Sequence, residues 1–234
     1  LGHSNTGKTV LSSATVDELR RFQGTKTAFA FLTYQEAKTS ALSITHSLIF
    51  QLAGRDEDLM AIICDSMVED LKNDLKNDLT AASNLLSSLI RYAGSVYLVI
   101  DGVDEISEAE RGRLVTELLG LAKICERLRI ILSSRSEADI MRLLDDTAVV
   151  IPVHDHNEGS IKDYIHERSQ YIFHTRKVFP KAQVEIRKLL VPLASRAKGM
   201  FLYARLIMDM IATMHDMSEM LKELAVLPET LDDA

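Results

Sequence analysis

The sequence predicts an α/β fold with a parallel sheet flanked by helices, followed by a small all-helical domain. Short apolar runs ending in polar residues alternate with stretches of helical periodicity through the first two thirds of the chain. Such runs suit strands buried on both faces of a parallel sheet. After His154 the alternation stops and only helical patterns follow. Alternating strands and helices are the signature of a parallel α/β sheet. The division falls near residues 153–158, giving domains of 1–153 and 154–234.

Four strands are predicted: Ala28–Tyr34 (AFAFLTY), Val96–Ile100 (VYLVI), Leu128–Leu132 (LRIIL) and Ala148–Val153 (AVVIPV). Helices are expected over Thr9–Phe22, Ser40–Leu52, Leu59–Leu79, Ala81–Tyr92, Glu108–Cys125 and Glu137–Leu144. In the third of these, Leu71, Leu75 and Leu79 recur at helical spacing within DLKNDLKNDL, whose polar residues form a solvated face. In the second domain Asn157 is placed to cap a helix carrying Ile161, Tyr164 and Ile165. Helices over Lys181–Ala197 and Met200–Leu224 complete it. The Met-rich stripe of the last helix reads as packing rather than as a recognition surface.

Composition limits the function classes. A chain of 234 residues, 47% hydrophobic, can bury a core without disulfide or metal staples. A net charge of −7 argues against a general electrostatic grip on nucleic acid or on an anionic membrane. The apolar run Met200–Met214 is broken by Arg205 and Asp209, so no membrane span is expected. Cys64 and Cys125 lie in apolar helical contexts without metal spacing and read as buried, reduced and intracellular. His154 and His156 would share one side of an extended segment, but no further ligand cluster lies near them to make a zinc site.

Three motifs carry chemistry. Gly2-His3-Ser4-Asn5-Thr6-Gly7-Lys8-Thr9 matches the phosphate-binding loop G-x-x-x-x-G-K-[ST]. Such a loop wraps backbone N–H groups around phosphates and opens a helix whose N-terminus faces the anion. Gly2, Asn5, Thr6 and Gly7 are then the backbone cradle, with Asn5 a residue that tolerates left-handed backbone. Lys8 reaches the β- and γ-phosphates, and the Thr9 hydroxyl binds Mg²⁺. The second motif is the apolar strand that ends in Asp101-Gly102-Val103-Asp104-Glu105. Asp101, at the carboxyl end of a buried strand, is placed to hold Mg²⁺ through water, and Asp104 or Glu105 to orient or deprotonate an attacking water. The bland alternative is a surface turn whose acids cap the next helix. The third is Ser133-Ser134-Arg135 at the end of another strand. Arg135 either senses a γ-phosphate or pairs with Glu137 or Asp139.

The loop Gly2–Thr9, the run YLVIDGVDE and the strand ending in LSSR resemble the NACHT branch of the STAND P-loop NTPases, closest to fungal NLR-like and nephrocystin-type regions. Residues 198–206 (KGMFLYARL) and 224–231 (LAVLPETL) resemble segments typical of that group. The resemblance implies a cytoplasmic, nucleotide-controlled switch: ADP holds a closed form, and exchange for ATP opens it and permits homo-oligomerisation. It implies ATP or ADP and Mg²⁺ as ligands, held by Gly7, Lys8, Thr9 and Asp101, with Asp104, Glu105 and Arg135 as the hydrolytic and sensing residues. It also implies an upstream effector domain and downstream winged-helix and repeat sensor domains.

Hydrolysis is expected to be slow, because no built-in arginine finger is evident. A different class of function is a scaffold whose NTPase has decayed and which acts through protein contacts. A metabolic P-loop kinase fits less well, since the helical tail shows no Arg-rich lid pattern. The family has an apolar strand feeding the loop, and here only Leu1 stands in its place. Residues 1–234 alone are therefore expected to bind nucleotide poorly. Calorimetry on this chain checks the point, and tight ATP binding would contradict it.

Overall fold

The computed structural model describes residues 7–34, 39–54, 56–66, 75–144, 147–214 and 217–226. Backbone contacts divide the chain into two units. One is Lys8–Val149, and the other holds Gly7 and the described residues from Val150 onward.

The first unit is mixed α/β. Its elements are α1 (Lys8–Leu19), β1 (Thr25–Phe31), α2 (Ala41–Ala53), α3 (Glu57–Ser66), α4 (Leu79–Ala93), β2 (Ser95–Asp101), α5 (Glu108–Ile124), β3 (Leu128–Ser133) and α6 (Ala138–Leu144). The three strands are parallel, in the order β1-β2-β3. Parallel neighbours need crossover connections, which the intervening helices supply. The register aligns the strand ends: Phe31 lies opposite Asp101, and Asp101 opposite Ser133.

Side chains alternate across a strand, and that parity positions the site. Val96, Leu98 and Ile100 of β2 face a core with Leu48 and Leu52 of α2, Leu86 and Leu89 of α4, and Leu114 and Leu118 of α5. Val99 faces the other way and packs with Val16 and Leu19 of α1, bordered by Phe29, Tyr97 and Ile131. Asp101 has the parity of Tyr97 and Val99, so it emerges on the α1 side. On α1 the buried residues are Ser12, Val16 and Leu19, a stripe at helical spacing. Val10 and Leu11, the apolar residues next to the motif, point to solvent instead.

Local chemistry fixes the helix ends. Ser40 closes a capping box with Ser43 at the start of α2. The Asp78 side chain accepts from the Thr80 backbone N–H at the start of α4. Ser107 caps α5 through the Glu110 N–H. The Arg111 guanidinium of α5 grips both carboxylate oxygens of Asp139 on α6. That bond holds the Asp139 carboxyl below its ordinary value and fixes the helix that follows Arg135.

The second unit is helical in its described residues. It contains a 3-10 turn (Val153–His156), α7 (Glu158–Thr175), α8 (Pro180–Leu190), α9 (Leu193–Arg196), α10 (Phe201–Thr213) and α11 (Met217–Ala225). Its core gathers Ile161, Phe173, Ile186, Leu193, Tyr203 and Met208. Met200, Met210 and Met214 pack against that core, which is the packing role expected of them.

Several expectations are corrected. The fourth strand does not form. Val149 is 91% exposed and Ile151 62% exposed. Residues 148–152 join no sheet, and Pro152 lacks the N–H a ladder needs. His154 and His156 therefore lie in a 3-10 turn rather than an extended segment. Strand β1 begins and ends three residues earlier than predicted, because it pairs with β2 from Thr25↔Ser95 onward. Cys64 is exposed and only Cys125 is buried. Asn157 stands at the start of α7, but its amide donates to the Gly199 carbonyl at 3.0 Å instead of capping the helix. The helix predicted over Lys181–Ala197 is two, parted at Val191 and Pro192. The segment 67–74, with the first half of the DLKNDLKNDL repeat, lies outside the described residues, as do residues 227–234.

Candidate functional site

The end of β2 and the first turns of α1 meet. Helix α1 begins at Lys8, so Thr9 and Ser12, three residues apart, share one face. The Thr9 hydroxyl donates to Asp101 Oδ2 at 2.6 Å. The Ser12 hydroxyl donates to Asp101 Oδ1 at 2.8 Å. Asp101 is only 3% exposed. A buried carboxylate is costly without partners, and hydrogen bonds to a charged group contribute about 1.5–3 kcal/mol each. The two hydroxyls therefore stabilise the carboxylate and fix its plane.

Lys8 is half-buried near the same carboxylates. Burial pushes its pKa below the ordinary value of 10.5. Asp104 opposes that shift, Arg135 reinforces it, and Asp101 opposes it more weakly. The balance leaves an ammonium less stable than it is in water, a setting in which a bound anion would favour the charged form.

A second layer forms around the 3-10 turn Val103–Glu105. Asp104 is also buried. Its Oδ1 accepts from the Arg135 backbone N–H at 2.9 Å, and its Oδ2 lies 3.2 Å from Arg135 Nε. Asp104 thus ties the loop after β3 to the loop after β2. Glu105 Oε2 accepts from the Tyr34 backbone N–H at 3.2 Å, and the Tyr34 hydroxyl donates to the Asp104 carbonyl at 3.3 Å. The loops that follow all three strands are joined at one end of the sheet. Ser133, at the end of β3, has a buried hydroxyl without a hydrogen-bond partner.

Gly102 makes this convergence possible. It has φ +76°, and a Cβ there would stand 2.8 Å from the Leu32 carbonyl oxygen and 3.1 Å from Glu105 Cγ. Its N–H donates to the Ser133 carbonyl at 2.9 Å, while Leu32 N–H donates to the Asp101 carbonyl at 2.9 Å. Gly7, just before α1, also has a left-handed backbone, with φ +82°.

The structure thus brings together Lys8, Thr9, Asp101, Asp104, Glu105 and Arg135. Gly2, Asn5 and Thr6 lie outside the described residues. Arg135 pairs with Asp104, not with Glu137 or Asp139, because Asp139 is taken by Arg111. Ser12 and Tyr34 were not singled out by the motifs. Ser12 is detectable as the polar residue one turn beyond Thr9 on the stripe Thr9-Ser12-Val16-Leu19. Tyr34 engages through its backbone N–H and a distant carbonyl, which no sequence pattern reveals.

The Nephrocystin 3, N-terminal model matches residues 1–135, more than half of the chain. The chain belongs to this family. Every side chain of the site falls inside the matched nephrocystin-type segment, with Arg135 its last residue. No curated protein matches the chain. Among the described residues no group of three or more His, Cys, Asp or Glu is arranged to hold a metal, and no helix is long and apolar enough to cross a membrane.

Replacing Gly102 separates its two constraints. Gly102→Ala is expected to lower stability by about 1–3 kcal/mol in chemical denaturation. Gly102→Asn should be no better, because its Cβ meets the same carbonyl although Asn tolerates positive φ. Recovery with Asn would show that only the backbone angle matters there.

Proposed function

We propose that this nephrocystin-type chain is the Mg²⁺-dependent nucleotide-binding module of a NACHT-type switch, taking ATP or ADP. The observation that carries the reading is the buried Asp101 carboxylate divided between the Thr9 and Ser12 hydroxyls, with Lys8 alongside. The sequence GKT at the mouth of a helix supports it, because that helix N-terminus and the lysine suit phosphate.

The donor set suits Mg²⁺. That ion prefers oxygen ligands and is commonly held by one or two carboxylates together with substrate phosphates and water. Thr9 and Asp101 supply a hydroxyl and a carboxylate oxygen 2.6 Å apart, on rigid elements. In this reading those two residues hold the ion, which would neutralise charge on the β- and γ-phosphates. Lys8 contributes a second positive charge on the phosphates.

The residues around Asp104 favour slow hydrolysis. Both Asp104 oxygens are engaged by Arg135, so Asp104 positions that arginine rather than acting on water. Glu105 is the remaining candidate base, and it is held by the Tyr34 N–H. Both interactions would have to yield before Arg135 or Glu105 turned toward a γ-phosphate. A nucleotide-dependent change in these loops is the means by which such a module would signal, through homo-oligomers and through effector and sensor domains elsewhere in the protein. The same engaged acids are what a scaffold without hydrolysis would display, so binding and hydrolysis need separate measurement.

Calorimetric titration of ADP and ATP with Mg²⁺ into the full-length protein tests the reading, with Lys8→Ala as control. Micromolar or tighter binding, lost in Lys8→Ala, is expected. No binding by the folded wild type, with partner proteins retained by Lys8→Ala, would favour the scaffold. Affinity should also fall as the pH rises through the lowered Lys8 value, because phosphate favours the protonated lysine. The loss should begin below the pH at which an ordinary lysine titrates. Affinity that stays constant up to pH 10.5 would contradict the role given to Lys8.

A further inference from the structure

We infer that Ser12 is a positioning residue that sets the orientation of Asp101 for its divalent cation, an inference that rests on the nucleotide reading above. A carboxylate rotates about a soft terminal torsion, so an aspartate holds one orientation only when its oxygens are engaged. Asp101 is engaged on both: Oδ2 by Thr9 and Oδ1 by Ser12.

The two hydroxyls are not equivalent. Thr9 is the motif residue whose oxygen lone pair would turn to the cation, so its hydroxyl would be shared between the ion and Asp101. Ser12 lies one helical turn further in, is 4% exposed, and bonds to the opposite oxygen. Its bond can persist through loading and keep Oδ2 turned toward the Thr9 edge. Ser12 also stands on the stripe that continues with the apolar Val16 and Leu19. A residue serving packing alone could be alanine there. A buried hydroxyl directed at a buried carboxylate is a choice that packing does not explain.

Partners that orient a metal ligand from behind typically change metal affinity by about 10–100-fold when removed. The test titrates Mg²⁺ into the full-length protein with a fluorescent ADP analogue and repeats nucleotide binding in EDTA. Ser12→Ala is expected to raise the Mg²⁺ midpoint about tenfold or more while leaving binding in EDTA unchanged. Ser12→Thr should restore the midpoint to near wild type, since it returns the hydroxyl. Ser12→Cys, similar in size but a weak donor, should shift in the same direction as alanine and carries the test if the alanine variant does not fold.

A wild-type midpoint in folded Ser12→Ala or Ser12→Cys would overturn the inference. Equal losses with Mg²⁺ and with EDTA would also overturn it, because they mark a merely structural role. If the wild type shows no Mg²⁺-dependent binding at all, the nucleotide reading itself falls and this inference falls with it. Wild-type Mg²⁺ dependence combined with unaltered variants removes only the inference about Ser12.

Discussion

The buried carboxylate of Asp101 is the constraint on which the rest of the site depends. It ends the central strand, with β1 on one side and β3 on the other, and is almost wholly removed from water. A charge in that position requires partners, and helix α1 provides them through Thr9 and Ser12. The seating of α1 is thereby determined twice. At its start it is held by hydrogen bonds to Asp101, and further along by Val16 and Leu19 against Val99. An apolar contact sets which face of the helix meets the sheet, and the hydroxyls set its position along the strand.

The loops beyond the sheet follow the same logic. Register places the ends of β1, β2 and β3 level, so the residues just past them are neighbours. Asp104 joins the third loop through Arg135, and Glu105 joins the first through Tyr34. Gly102 permits the tight turn between strand and carboxylates, where a side chain would strike the Leu32 carbonyl. The loop-to-loop contacts are made by charged and polar groups. Under the proposed function, a bound nucleotide would couple to loop position, because the contacts it would displace join loops that follow different strands.

How much of this was legible in the sequence depended on the range of the interaction. The run YLVID announces a buried strand ending in a carboxylate, and GKT the start of a helix, because both signals are contiguous. Thr9 and Asp101, both expected to hold a cation, are hydrogen-bonded to each other across 92 residues. Ser12 is not singled out, because the motif stops at Thr9 and the significance of a serine on an apolar stripe emerges only when the stripe meets a charge. The Arg135 partner was sought among the nearest acids, Glu137 and Asp139, whereas the register of two strands supplied Asp104 and Arg111 claimed Asp139. The run AVVIPV has strand-like composition, yet a strand requires a neighbour to pair with, and composition does not reveal one. The exposure of Cys64 is hidden for a similar reason: apolar surroundings in sequence do not say which side of a short helix faces outward.

The most direct test of the account is to locate the cation itself. Crystals of the full-length protein grown with ADP and Mn²⁺ would report the metal by its anomalous scattering. The account predicts one strong peak beside Thr9 Oγ1 and Asp101 Oδ2, with ADP phosphates adjoining Lys8 and the Ser12–Asp101 hydrogen bond intact. Bound ADP with no metal at that edge, or a Thr9–Asp101 bond unchanged beside a metal held elsewhere, would contradict it.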